Sequence, residues 1–293
     1  MSGTSGTVGT GSPGPGQPGT GRQETGLQGT GRQGTRRTEP GAVPEAVSGG
    51  HGRLGSVLSG LAVAVGCVLF LGGFVWGAVE YRPYAVPTNS MSPTVKAGDR
   101  VLAQRISGSD VRRGDVVVFS DADWGDLPML KRVVGVGGDT VACCDADGRL
   151  TVNGKPVREP YVQGMPGGQA STTEFSAKVP EGQLFLLGDE RSGSLDSRVH
   201  LQDQAQGSVP LASVDARVDA VVWPAGSLVG RPEAFAALPG GVSGAGPVKL
   251  VAAAILGGAL LILGGAAYGP VARWLSAPRR ARGAREGASA GVR

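Results

Sequence analysis

The distribution of apolar and polar positions divides the chain into five parts. Leu54 to Val79 is a run of 26 residues without a charge, long enough to cross a hydrocarbon core of about 30 Å, and it predicts a transmembrane helix over 54–79. A second uncharged run, Leu250 to Ala272, is rich in Leu, Ile, Ala and Gly and predicts another over 250–272. Gly257, Gly258, Gly264 and Gly265 would weaken a soluble core helix, whereas small residues are common where membrane helices meet. Between the runs the pattern changes to short β-branched stretches bounded by turn residues, at 100–105, 115–119, 131–136, 139–142, 184–187 and 214–223, each of strand length. Asn153-Gly154 is the strongest hairpin signal, Asp145-Ala146-Asp147-Gly148 separates two further runs, and 164–176 reads as an exposed loop. Tyr81 and Tyr84, with Trp76 behind them, suit an interfacial aromatic belt. The fold class is therefore mainly β: a β domain over 80–247 between N-terminal and C-terminal transmembrane helices.

Composition settles what the ends are. Residues 1–53 are dominated by Gly, Thr, Gln, Ser and Pro and cannot bury enough apolar surface to offset their ordering entropy, so they read as a disordered tail. Arg36, Arg37 and Arg53 precede the first run, and Arg273, Arg279, Arg280, Arg282 and Arg285 follow the second, in a basic tail over 273–293. Positive flanks stay in the cytoplasm. Both tails are thus expected there, which makes the chain a multi-pass protein of the cell membrane with 80–247 extracytoplasmic and the lipid bilayer as one partner. Residues 81–247 hold 16 Lys and Arg against 19 Asp and Glu, so the net charge of +4 belongs to the tails. Nothing basic in the middle asks for nucleic acid. Of three cysteines, Cys67 lies in the first span, while Cys143 and Cys144 are adjacent. Neighbouring Cα atoms lie closer than an ordinary disulfide prefers, and no further Cys or His stands at ligand spacing to make a metal site.

Candidate chemistry begins at Pro87-Thr88-Asn89-Ser90-Met91-Ser92-Pro93-Thr94, followed by Gly98-Asp99. Such residues also build plain turns. Ser90 follows Val79 by eleven positions, at most ~36 Å of extended chain, so the serine is tethered near the membrane surface. A serine needs a base to become a nucleophile, and the only histidine of the middle segment, His200, has Arg198 close by and no obvious orienting acid for a triad. The chain has 23 arginines and five lysines. Where a positive charge alone is wanted it writes Arg, which cannot lose its proton, whereas Lys can when desolvated. Lys131 sits beside Leu130, Val133 and Val134; a snorkelling surface lysine is the plainer local alternative. At the ordinary lysine pKa of about 10.4 roughly one lysine in 2,500 is neutral at pH 7, and a depression of ~2 units raises that to about one in 25.

Ser90-Met91-Ser92-Pro93-Thr94 with Gly98-Asp99, Arg113-Gly114-Asp115-Val116-Val117, Lys131-Arg132-Val133-Val134-Gly135, and Gly188-Asp189-Glu190-Arg191 with Ser194, Asp196, Ser197 and Arg198 resemble the ordered boxes of bacterial type I signal peptidases, in an actinobacterial-like form with an extra C-terminal span. The resemblance covers about residues 80 to 225. It implies an all-β peptidase domain with a hydrophobic face on the membrane, Ser90 as nucleophile, Lys131 as general base and Ser194 as the hydroxyl that orients that lysine. It also implies Thr88 and the Ser90 N–H as the oxyanion hole, Asp196 and Arg198 as a supporting pair, no metal or organic cofactor, and secreted preproteins as substrates. Glu190 stands where the family commonly has Asn. Were its carboxylate turned towards Lys131 it would favour the ammonium form and oppose catalysis. Two other readings remain at this point: a self-cleaving Ser-Lys regulator, which would need a DNA-binding domain that residues 1–52 cannot supply, and a catalytically silent anchored scaffold, with Glu190 as its symptom.

Overall fold

The computed structural model describes residues 51–162 and 165–276. The tail read as disordered lies outside them up to residue 50, as does the basic tail beyond 276. Helix α1, His51–Glu80, contains the first apolar run, and helix α3, Val248–Ser276, the second. Both carry glycines that would open a helix in water, but in an apolar medium the backbone must satisfy its own hydrogen bonds, which favours the helix regardless. The two run antiparallel, with Gly55 beside Tyr268, Gly66 beside Gly258 and Gly77 beside Val251. A methyl group on Gly66 would stand 2.8 Å from the Gly258 carbonyl oxygen, and one on Gly258 would stand 2.5 Å from the Phe70 nitrogen. The glycines therefore let the backbones meet. Ser59 Oγ donates to the Gly265 carbonyl at 2.6 Å across the same seam.

From the end of α1 the chain enters β1, Tyr81–Ala85, with no loop between. It joins an eight-stranded sheet with β2 (Arg100–Arg105), β3 (Val116–Phe119), β4 (Met129–Val136), β9 (Gln183–Leu187), β10 (Ser208–Pro210) and β11 (Val214–Trp223). The order is β1-β2-β11-β3-β4-β9-β10, all antiparallel, and the short β12, Ser227–Leu228, pairs with β11. A second, four-stranded sheet runs β7-β6-β5-β8, from Lys155–Pro156, Leu150–Val152, Thr140–Cys143 and Phe175–Lys178. A one-turn helix α2, Glu233–Ala236, precedes the return to α3.

All four residues of β3 are buried. Val116 and Val118 pack with Val101, Ala103, Ala216 and Val218, whereas Val117 and Phe119 pack with Val133, Leu184 and Leu186. The sheet is thus covered on both faces there, which is why this strand reads as continuously apolar. Asn153 and Gly154, at φ 53° and 75°, make the two-residue β6–β7 turn that requires positive φ at both positions.

Three local expectations change. Tyr81 does not lie in an interfacial belt: it is 5 % exposed and its hydroxyl donates to Asp219 Oδ2 at 3.0 Å, because β1 starts directly at the helix end and turns that side chain into the domain. The stretch 164–176 is not wholly an exposed loop. Ala170 and Ser171 are buried, and Phe175 and Ser176 already belong to β8, paired with β5. Cys143 and Cys144 are joined as a disulfide at the end of β5.

Candidate functional site

Ser90 sits at the exit of the sheet's edge strand. After β1, Val86 N–H donates to the Asp99 carbonyl at 2.9 Å and Gly98 N–H to the Val86 carbonyl at 2.8 Å, prolonging the pairing. The chain then turns: Ser92 N–H donates to the Asn89 carbonyl, Val95 N–H to the Met91 carbonyl and Ala97 N–H to Asn89 Oδ1, each at 2.9 Å. Met91 and Val95 are buried under this turn and hold it down, leaving Ser90 half-buried and Thr88 and Asn89 exposed.

Lys131 lies on β4 opposite Val117 of β3 and is 5 % exposed. Its Nζ donates to Ser90 Oγ at 3.2 Å and to the Leu130 carbonyl at 3.0 Å. Burial pushes its pKa below the ordinary lysine value, and the Asp196 carboxylate pulls the other way. Thr88 Oγ1 donates to Ser90 Oγ at 3.3 Å. These three side chains line a cleft of about 120 Å³, whose apolar walls include Val86, Val118, Met129 and Leu130.

The segment after β9 closes the other side. Glu190 N–H donates to the Ser90 carbonyl at 3.1 Å. Ser194 Oγ is buried and has no hydrogen-bond partner among the described residues, so it does not bond Lys131 here. A methyl group on Gly188 would stand 2.2 Å from Ser194 Oγ and 2.6 Å from the Ser90 carbonyl. Asp196 takes both Nε and Nη2 of Arg198 at 2.8 Å and the Gly188 N–H at 3.0 Å. Glu190 turns outward, its carboxylate accepting from the Ser192 hydroxyl and, at 2.6 Å, from Gly193 N–H.

Several residues given no role by the sequence hold this segment. Arg132 grips Asp189 through Nε at 2.8 Å and Nη2 at 2.7 Å, and Thr94 Oγ1 adds a bond to the same carboxylate at 2.5 Å. Tyr161 stacks on the Arg132 guanidinium at 4.0 Å and donates to Glu159, which pairs with Arg191 at 2.6 Å. Arg191 Nε bonds the Gly188 carbonyl at 2.9 Å. A fully buried Arg132 tolerates its position because every charge in this network is matched. The Lys131-Arg132 dipeptide was the available signal, since strand alternation sends the two cations to opposite faces; nothing in the sequence marks Glu159 or Tyr161. Among the described residues, no group of three or more His, Cys, Asp or Glu gathers to hold a metal.

Comparison with known proteins adds an independent line. The signal peptidase, peptidase S26 family model matches residues 56–223. A probable signal peptidase I of Mycobacterium leprae is 32 % identical over 201 residues, taking in 49 % of this chain and 68 % of that protein. Signal peptidase I of Bacillus licheniformis is 35 % identical over 146 residues, 47 % of this chain and 74 % of that one. The crystal structure of a signal peptidase I from Enterococcus faecalis V583 is 29 % identical and covers 36 % of this chain and 94 % of its own, at a TM-score of 0.30. With the family model taking in more than half of its length and relatives matched over about two thirds of theirs, the chain belongs to the S26 family of signal peptidases.

Proposed function

We propose that this chain is a membrane-anchored serine endopeptidase that removes N-terminal signal peptides from exported preproteins with a Ser90–Lys131 dyad. The observation that carries the reading is the 3.2 Å approach of Lys131 Nζ to Ser90 Oγ at a lysine that is 5 % exposed. Burial disfavours the ammonium, and the neutral amine is a base. Neutral Lys131 takes the Ser90 proton as Oγ attacks the carbonyl carbon of the scissile bond. The oxyanion that forms is held by the Ser90 N–H and the Thr88 hydroxyl. Collapse expels the amine of the mature chain, which leaves with the proton returned by Lys131. Water, deprotonated by the again-neutral Lys131, then attacks the ester; Ser90 Oγ leaves with the proton returned by Lys131 and the acyl group departs as a carboxylate. Ser194, with an unspent buried hydroxyl, is the group that orients the lysine during turnover, and the Asp196–Arg198 pair holds the segment that carries it. The narrow cleft beside Ser90 favours small residues at −1 and −3, presented as an extended strand along 85–87.

Both spans anchor the domain. Their antiparallel packing puts residues 51 and 276 at one end, and the arginines after Ala272 support a cytoplasmic location for that end, with 80–247 outside. The bonds of Glu190 to Ser192 and Gly193 turn its carboxylate away from Lys131, which favours the catalytic reading over a silent scaffold. Purified Ser90→Ala and Lys131→Arg should bind membrane and stay folded but leave a preprotein uncleaved. The arginine variant keeps the charge and loses the titratable base; processing by it at the wild-type rate would refute the mechanism.

A further inference from the structure

The two spans are tied to the catalytic sheet by a cluster of polar side chains, whose centre is buried. At the end of α1, Arg105 of β2 donates to the Ala78 carbonyl at 2.8 Å and also to the Val79 carbonyl, capping the helix. Gln104 Nε2 donates to Glu80 at 2.6 Å while its Oε1 accepts from Arg217 at 2.6 Å. Tyr81 donates to Asp219 Oδ2 at 3.0 Å and accepts the backbone N–H of Val248, the first residue of α3. Burial and the Asp219 carboxylate push the Tyr81 phenol above its ordinary range, so it stays a donor. Arg231 Nη2 reaches Asp219 Oδ1 at 2.6 Å and its Nε reaches Ser243 at 3.1 Å; Ser243 in turn donates to Asp115, beside β3.

The segment returning to α3 is threaded through this cluster with no spare room. A methyl group on Gly246 would stand 1.9 Å from Asp219 Oδ2, 2.7 Å from Gln104 Oε1 and 2.8 Å from the Tyr81 oxygen. Asp115, Asp219, Arg217 and Tyr81 are all buried, so their directional bonds are not diluted by water. The same Tyr81 opens β1, whose register with β2 runs unbroken from Tyr81↔Gln104 to Ala85↔Arg100 and leads into the Ser90 turn. The geometry points to Tyr81, Asp219, Arg231 and Gly246 as positioning residues that hold the Ser90 cleft at a set height and tilt above the two spans. They select, through α1 and α3, membrane-held preproteins by where the cleavage site emerges from the bilayer. This inference rests on the signal-peptide reading proposed above. A short soluble peptide brings no membrane segment to be matched, so its cleavage is independent of the cluster.

The test uses the full chain in lipid vesicles, with Tyr81→Phe, which removes one hydroxyl, and Gly246→Ala. Preproteins are made whose apolar segment lengthens one residue at a time, about 1.5 Å each in a helix, alongside a soluble peptide of the same cleavage sequence. Wild type should show an optimum length. Both variants should lose 5- to 20-fold in kcat/KM at that optimum, broaden or shift it by two residues or more, and keep peptide cleavage within about twofold. Equal losses on peptide and preprotein, or an unchanged length profile, would overturn the inference. A readout without cleavage separates it from the catalytic reading: a spin label at Leu127→Cys, in a Cys67→Ala background, reports distance to labelled lipid headgroups. Gly246→Ala should widen that distribution whether or not any substrate is cut, and an unchanged distribution would overturn the inference by itself.

Discussion

Replacing Lys131 by Met separates the chemistry of this lysine from its burial. Lys131 is 5 % exposed, and its pKa is lowered by desolvation against the pull of Asp196. Between the folded and the unfolded pKa the folded protein therefore binds fewer protons than the unfolded chain, so this group makes stability rise with pH across that window. The destabilisation is complete below the folded pKa and has vanished above about pH 10.4, the ordinary lysine value. Each unit of depression is worth about 1.4 kcal/mol. Methionine has nearly the same length, fills the same channel and does not titrate. It gives up the bonds to Ser90 Oγ and the Leu130 carbonyl, a loss of about 0.5–1.5 kcal/mol each that sets an offset but carries no pH dependence of its own. Melting of the detergent-solubilised protein, followed by tryptophan fluorescence at pH 6, 8, 9.5 and 10.5, should show Lys131→Met gaining on wild type as pH falls. A domain of this size shifts roughly 2–4 °C per kcal/mol. All other titrating groups are common to both proteins and cancel in the difference. Wild-type log kcat/KM should rise with unit slope on its acid limb, and the Met variant should have no activity to titrate. A difference in melting temperature that is flat across this range, or that grows with pH, would refute the claim that Lys131 is held against a desolvation penalty.

Thr88→Val keeps the shape of the side chain but removes the hydroxyl beside Ser90 Oγ; kcat should fall ~10²- to 10³-fold with little change in KM, whereas Thr88→Ser should retain most activity, and equal rates would exclude Thr88 from the oxyanion hole. Glu190→Gln or Glu190→Asn should leave the apparent pKa of the acid limb unmoved, because the carboxylate is spent on Ser192 and Gly193; a drop of one unit or more would mean coupling to Lys131. A reporter active only in the cytoplasm should work when fused after Arg285 and stay silent when inserted in 240–246, and the reverse pattern would remove the second crossing.

Much of this protein is legible as a string because much of it is local physics. Two apolar runs of membrane length declare helices whatever surrounds them, β2 and β11 have the bounds their β-branched runs mark, and Asn153-Gly154 can hardly be anything but a tight turn. The boxes around Ser90, Lys131 and Gly188–Arg198 are legible because each is a short run of set residue types in a set order, and the fold brings the three together. What stayed hidden depends on partners distant in sequence. Tyr81 reads as an interfacial aromatic until Asp219, 138 residues away, takes its hydroxyl. Short strands such as β8 and β10 borrow their stability from β5 and β9 and carry no periodicity of their own. Lys131 is locally indistinguishable from a surface lysine; only the closing of β3, β4 and the Ser90 turn around it removes water, and it is that removal, not the residue, that lowers its pKa.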